Sequence, residues 1–260
     1  MASEVKTNKI SPATSSTVTL GDASDTFVIP ASATLDVNGT IDITGATATG
    51  FPSAGFSKVT PVTATDSTFD LQTGTTKVIL EVQAAGGTAG TNSSGYEAGL
   101  GASGAYAMKT LTGMTGATDK LDITIGAVAP NQAPGSAANG TTTSVAQAGT
   151  ASFTTVTTNG GSGGQNAGTT HHSDGGDGGT VPTTGDLNIA GMAGNGGGKY
   201  AVNGRSSLFG IGGANKTQPT GADHTGGAAS GYGAGGGMGK GTTAAGGSGS
   251  AGLVIVWEYK

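Results

Sequence analysis

The C-terminal stretch Leu253-Val254-Ile255-Val256-Trp257-Glu258 decides how this chain is read. It is an apolar run, rich in β-branched residues, and it reads as a strand. A second such run, Val78-Ile79-Leu80-Glu81-Val82, lies far upstream. Almost all the glycine falls between them: of 52 glycines, 6 precede residue 86, which leaves 52 − 6 = 46 from there on. A tract about one-quarter glycine normally behaves as a linker. This one starts and ends in strands that cannot be left in water. The pattern predicts a folded glycine-rich domain clamped by its own ends.

Composition narrows the alternatives. Charged residues are 10% of the 260, and the formal net charge is −5. That is too little charge for an electrostatically expanded chain and the wrong sign for tracking phosphates, so nucleic acid is not an expected partner. Aromatics are 5% and mean hydropathy is −0.07. Large side chains cannot fill such a body, so backbone hydrogen bonding and close backbone approach must supply much of its cohesion. The absence of cysteine excludes disulfides, zinc–thiolate sites and cysteine catalysis. The opening MASEVKTNKISPATSS has no apolar core of a secretory signal, and no apolar run approaches the roughly 20 residues of a membrane span. The expectation is a chain made as a soluble cytosolic protein, with no membrane insertion.

Residues 1–56 form a first expected unit. Apolar positions alternate at Val18 and Leu20, Phe27 and Ile29, Leu35 and Val37, Ile41 and Ile43. Such alternation reads as half-buried strands. Ile29, Leu35 and Ile41 are six apart, as are Val37 and Ile43. With Gly, Asn, Asp and Ser at the corners, that step suggests a β-helix or fibrous β-prism wound from three chains; an ordinary β-meander fits the same alternation. The stretch 46–56 (ATATGFPSAGF) reads as a turn-rich connection.

Residues 57–260 form the second expected unit. Ser67-Thr68-Phe69-Asp70-Leu71 leads through a turn at 72–76 into the strand at 78–82. Further strands are expected at 105–111, 120–125 and 152–157. No long stretch carries the apolar stripe of an amphipathic helix. Triplet spacing then appears: Gly95, Ala98, Gly101 and Gly104; Gly191, Gly194 and Gly197; Gly227, Ser230, Gly233, Gly236 and Gly239; Gly246, Gly249 and Gly252. Three residues per turn is the period of the polyproline-II helix, whose backbone groups all point outward for neighbours to pair. A bundle of such helices, packed on glycine edges, is one reading; chance triplets in a glycine-dense tract are the other. With 8 prolines and no sustained Gly-X-Y register, the tract is not collagen.

Phe69, TKVILEVQAAGG at 76–87, KLDITIG at 120–126 and GGSGSAGLVIVWEY at 246–259, around the glycine body, resemble the glycine-rich domain at the C-termini of tailed-bacteriophage tail fibres and adhesins. The resemblance covers about residues 66–260 and is most specific at AGLVIVWEY and at the strand running into Gly86-Gly87. The segment 3–40 similarly resembles fibre-forming segments of marine phage tail proteins. The resemblance implies stacked polyproline-II helices carrying loops that touch the host surface. A long shaft, usual in such fibres, is missing here.

Other chemistry finds little support. A glycoside-cleaving site needs two carboxylates about 5–10 Å apart; Asp174, Asp177, Asp186 and Asp223 all sit in Gly/Ser/Thr-rich stretches where Asp is an ordinary turn residue. The three histidines accompany no nucleophile elbow. His171 and His172 with Asp174 and Asp177 offer metal-ligand types, but a solvated loop is the favoured reading. Gly210-Ile211-Gly212-Gly213 and the run 235–240 lack GxxxxGK[ST] and its strand–helix context, which rejects nucleotide binding. The expectation is no enzyme, no cofactor and no metal.

Three loops concentrate the bulky and charged side chains: 167–174 (AGTTHHSD), 199–209 (KYAVNGRSSLF) and 215–224 (NKTQPTGADH). The receptor-binding candidates are His171, His172, Tyr200, Asn203, Arg205, Gln218, His224 and Tyr232. Tyr200 and Tyr232 suit stacking on sugar rings, and Asn203, Arg205, Gln218 and His224 suit hydroxyls, carboxylates or phosphates. Packing of Tyr200 and Phe209 into the domain is an equally open reading. The expected protein is an all-β, homotrimeric tail fibre or adhesin of the virion. Its 1–56 unit would dock to other virion proteins, and its 57–260 tip would bind a host glycan or outer-membrane protein. A purely architectural head, neck or tail fibre is the alternative.

Overall fold

The computed structural model describes residues 55–91, 98–128, 130, 137–150, 152–166, 173–196, 203–214, 223–240 and 244–260. The chain divides between Phe51 and Pro52, so the expected fibrous unit, with its prism or helix, lies outside the described residues. The described part is all-β, with no helix among these residues.

Strands β1 (Phe56–Val62), β2 (Asp66–Asp70), β3 (Lys77–Gln83), β4 (Tyr106–Thr112), β5 (Asp119–Thr124), β6 (Thr143–Gly149), β7 (Val156–Thr158), β8 (Leu187–Ile189), β9 (Phe209–Ile211), β10 (Ser230–Tyr232) and β11 (Leu253–Tyr259) follow in chain order. One antiparallel sheet runs β1-β11-β3-β4-β8; a second runs β2-β5-β6-β7; β9 and β10 pair alone, and no sheet closes. The quoted C-terminal strand is therefore central. It joins first to last, with Val256 opposite both Thr60 and Leu80.

Alternation decides what each face of the large sheet meets. Val78, Leu80 and Val82 of β3, with Val254 and Val256 of β11, are fully buried. They pack with Leu121 and Ile123 of β5, Val145 of β6 and Val156 of β7 into the one large core. Glu258 points to the same side and is also fully buried. Its Oε2 accepts hydrogen bonds from the Gln72 N–H at 2.7 Å and the Thr75 hydroxyl at 2.9 Å, which holds the turn between β2 and β3. On the opposite face, Glu81 accepts from the Trp257 indole N–H at 2.8 Å and the Tyr106 hydroxyl at 2.9 Å.

The strands expected at 78–82, 105–111 and 120–125 are β3, β4 and β5, each shifted at its ends by a residue or two. The strand expected at 152–157 is only the three residues of β7, because Gly149 turns the chain in the left-handed region and Phe153 donates its N–H to the Gln147 side chain instead of to a ladder. The longer strand there is β6, whose Thr-Ser-Val-Ala-Gln-Ala-Gly carries only one large apolar residue.

Between the strands the glycine tract is laid out as extended segments without sheet pairing. Their hydrogen bonds rotate. Along one segment, Ala84, Gly87 and Gly90 donate to Ala105, Ala102 and Gly99; Ala85 and Thr88 donate to Thr141 and Ala138; Gly86 and Ala89 donate to Ser250 and Gly247. Each residue addresses a different neighbour, and every third residue returns to the same one. Segment 98–105 lies at the centre of this lattice. It donates to three segments: Gly99, Ala102 and Ala105 to Gln165, Ser162 and Asn159; Leu100 and Ser103 to Asn195 and Met192; Gly101 and Gly104 to Gly236 and Gly233. It accepts from three others, at 84–90, at Gly176 and Gly179, and at Arg205. Six neighbours thus satisfy a buried backbone that no sheet pairs.

Glycine permits the spacing. A Cβ on Gly101 would overlap the Gly87 carbonyl oxygen, and one on Gly87 would overlap that of Ser162. Where side chains do occur inside, they are small: Ala84, Ala85, Ala89, Ala98 and Ala102 are fully buried.

Candidate functional site

The lattice sorts the two ends of several segments. At one end the segments run into strands of the sandwich, as 84 follows β3, 105 precedes β4, 159 follows β7 and 252 precedes β11. At the other end a chain of bonds crosses the bundle: Gly90 to Gly99, Gly99 to Gln165, and Gln165 to Asp174. Leu100 reaches Asn195 at this same end, and His224 and Lys240 exchange backbone bonds of 2.7 and 2.9 Å. The chain between these ends, at 92–97, 167–172, 197–202, 215–222 and 241–243, lies outside the described residues. His171, His172, Tyr200 and Gln218 are among them.

Of the other expected binding residues, Arg205 and Tyr232 are brought together. Gly235 donates its N–H to the Arg205 carbonyl, and Ser207 donates its hydroxyl to the Tyr232 carbonyl. The Arg205 side chain is partly buried and its guanidinium is tied to a neighbouring segment. Its Nε–H bonds the Ala193 carbonyl at 2.6 Å and its Nη2 bonds the Asn195 side chain, which ties 203–207 to 192–195. Tyr232 is half-buried opposite Phe209 in the β9–β10 pair. Asn203 is exposed one residue before Gly204. His224 stands apart at the bundle's far end; neither ring nitrogen has a hydrogen-bond partner among the described residues, and both are covered.

Beside Arg205 opens a cleft of about 140 Å³, lined by Tyr106 and Ile189 of β4 and β8, by Ser103 and Met192, and by Ser206 and Leu208. Phe209 stands behind it, its ring 6.0 Å from that of Tyr106. The walls are apolar, and Met192 and Leu208 are 50% and 60% exposed at its mouth. Burial, then the hydrogen bond to Glu81, pushes the Tyr106 phenol well above the ordinary tyrosine range. Tyr106 therefore stays protonated and donates to Glu81 across the whole physiological range.

Asp186 bonds Lys109 Nζ and the Thr110 N–H, each at 2.7 Å, and these two contacts hold its carboxyl below the usual carboxylate range. It clamps the approach to β8 against β4. Among the described residues no three His, Asp or Glu side chains converge as a metal set.

The cleft was not legible in the sequence. Its residues come from positions as far apart as 83 and 208, brought side by side by the β4–β8 pairing and the lattice. One local signal existed: Met192 is the only large side chain in a run of Gly, Ala and Asn at 190–198. No family model matches the chain, and no curated protein matches it.

Proposed function

We propose that this chain is a tail fibre or adhesin of a tailed phage, a structural virion protein that attaches the particle to its host through a glycine-rich tip. The observation that carries the reading is the threefold rotating hydrogen-bond lattice around residues 98–105. Its three-residue period supports reading the glycine tract as a polyproline-II bundle with a side-chain-poor interior that serves as a scaffold. Such a scaffold gathers the flanks of the stretches bearing His171, His172, Tyr200 and Gln218 at the end away from the sandwich. Functional residues favour connections on a rigid support, which is what this arrangement supplies. The 1–56 unit trimerises the chain and docks it to the particle. Attachment is by binding, not turnover, and weak contacts at each tip add through multivalency.

The test uses the full-length protein, labelled and sedimented with cells of the bacterium whose phage carries it. Co-sedimentation is expected, and substitution of Tyr200 and Gln218 by Ala should weaken it. Folded protein that stays in the supernatant would overturn the attachment role and favour a purely architectural fibre.

A further inference from the structure

We infer that the cleft beside Arg205 is a subsite for the acetamido group of a neutral N-acetylated sugar. The inference rests on the attachment reading above and adds to it a sugar contact on the β4–β8 side of the domain, apart from the stretches bearing Tyr200 and Gln218.

Size comes first. At about 140 Å³ the cleft is smaller than the roughly 300–1,000 Å³ of sites that enclose a drug-sized ligand. Its mouth is open, with Met192 and Leu208 half or more exposed, so it receives one group of a ligand whose remainder stays toward solvent.

Charge comes second. Among the described residues no charged side chain lines the cleft. A carboxylate or ammonium entering it would lose water without gaining a counter-charge, so the occupant is neutral.

The hydrogen-bonding groups then define its chemistry. The Ser103 hydroxyl oxygen accepts from the Met192 N–H at 2.8 Å, and that of Ser206 accepts from the Gly212 N–H at 3.2 Å. Among the described residues neither hydroxyl donates a hydrogen bond, which leaves two O–H donors for an acceptor. Most other polar groups nearby are already engaged, while the Gln83 amide oxygen accepts nothing among the described residues and remains for a donor such as an amide N–H. Ser207 donates to Tyr232, Tyr106 donates to Glu81, and Gln83 Nε2 donates to the Gly104 and Ala105 carbonyls at 3.0 and 3.1 Å. The cleft therefore offers donors to a carbonyl oxygen and apolar walls, from Ile189, Met192 and Leu208, to a methyl group. An acetamido group carries both within the available space. A plain hexose offers hydroxyls to the apolar walls and no methyl, and it gains less.

Saturation-transfer NMR on the full-length protein separates these ligands. With free N-acetylglucosamine the acetamido methyl should receive the strongest transfer, and glucose should receive little. Ser206→Ala should weaken binding about tenfold, the loss of one hydrogen bond. Leu208→Arg, at a position 60% exposed and so tolerant of a larger side chain, should abolish transfer by closing the mouth with an unchanged circular dichroism spectrum. Equal transfer to glucose and N-acetylglucosamine, or undiminished transfer with Leu208→Arg, would overturn the inference. Cell sedimentation distinguishes the two levels. If the protein binds cells and neither N-acetylglucosamine nor Leu208→Arg reduces that binding, the attachment role stands and the acetamido subsite falls.

Discussion

Gly101 has the Gly87 carbonyl oxygen where a side chain would begin, and the obstacle is backbone that the lattice holds on several sides. Gly101→Ala should cost about 3 kcal/mol in thermal unfolding, the upper part of the usual overpacking range. Gly55, where an added Cβ meets nothing within 4 Å, is the control and should change stability by less than about 0.5 kcal/mol. Equal effects would mean the segments do not pack this closely. Tyr106 supports a second prediction. Its folded pKa is raised, while the unfolded phenol ionises near the ordinary value of about 10. Above about pH 10 the unfolded state has released a proton that the folded state still holds, so stability falls as pH rises through this range. Tyr106→Phe removes that component. Urea midpoints should fall less steeply between about pH 9 and 11 in the variant than in the parent, and parallel curves would assign the alkaline loss elsewhere.

The segments of the glycine tract are neither strands nor coil. Their N–H groups are bonded, residue by residue, to three different neighbours, so protection from exchange should rotate through the bundle rather than alternate as on a sheet edge. Amides of Gly87, Leu100, Gly101, Ala102 and Ser103 should exchange as slowly as those of β3 and β11. Rapid exchange there, with β3 and β11 still protected, would dissolve the scaffold on which the attachment reading rests. The triplets Gly101/Gly104 and Gly191/Gly194 announce this element locally, because each pair donates to a single neighbouring segment. Short strands such as β8, β9 and β10 announce nothing. Three residues carry too little alternation to read, and each exists only because a partner strand is brought alongside.

At the scale of the whole molecule, the proposed trimer predicts a mass. Sedimentation equilibrium of the full-length protein should give three times the 24.6 kDa of one chain. A concentration-independent monomer would remove the three-chain fibre from the proposal. The sequence by itself determined the all-β class and the strands that seal the glycine tract, because runs such as 78–82 and 253–258 lose too much by staying in water and their composition disfavours helix. Only the tertiary structure decided that β11 lies between β1 and β3, which six neighbours surround residues 98–105, and that Ser103, Met192, Ser206 and Leu208 line one cleft. The reason is physical. Burial of large apolar side chains is written in local pattern, whereas a lattice of backbone bonds between glycines is made by groups that every residue carries, so the choice of partner belongs to the packed bundle as a whole.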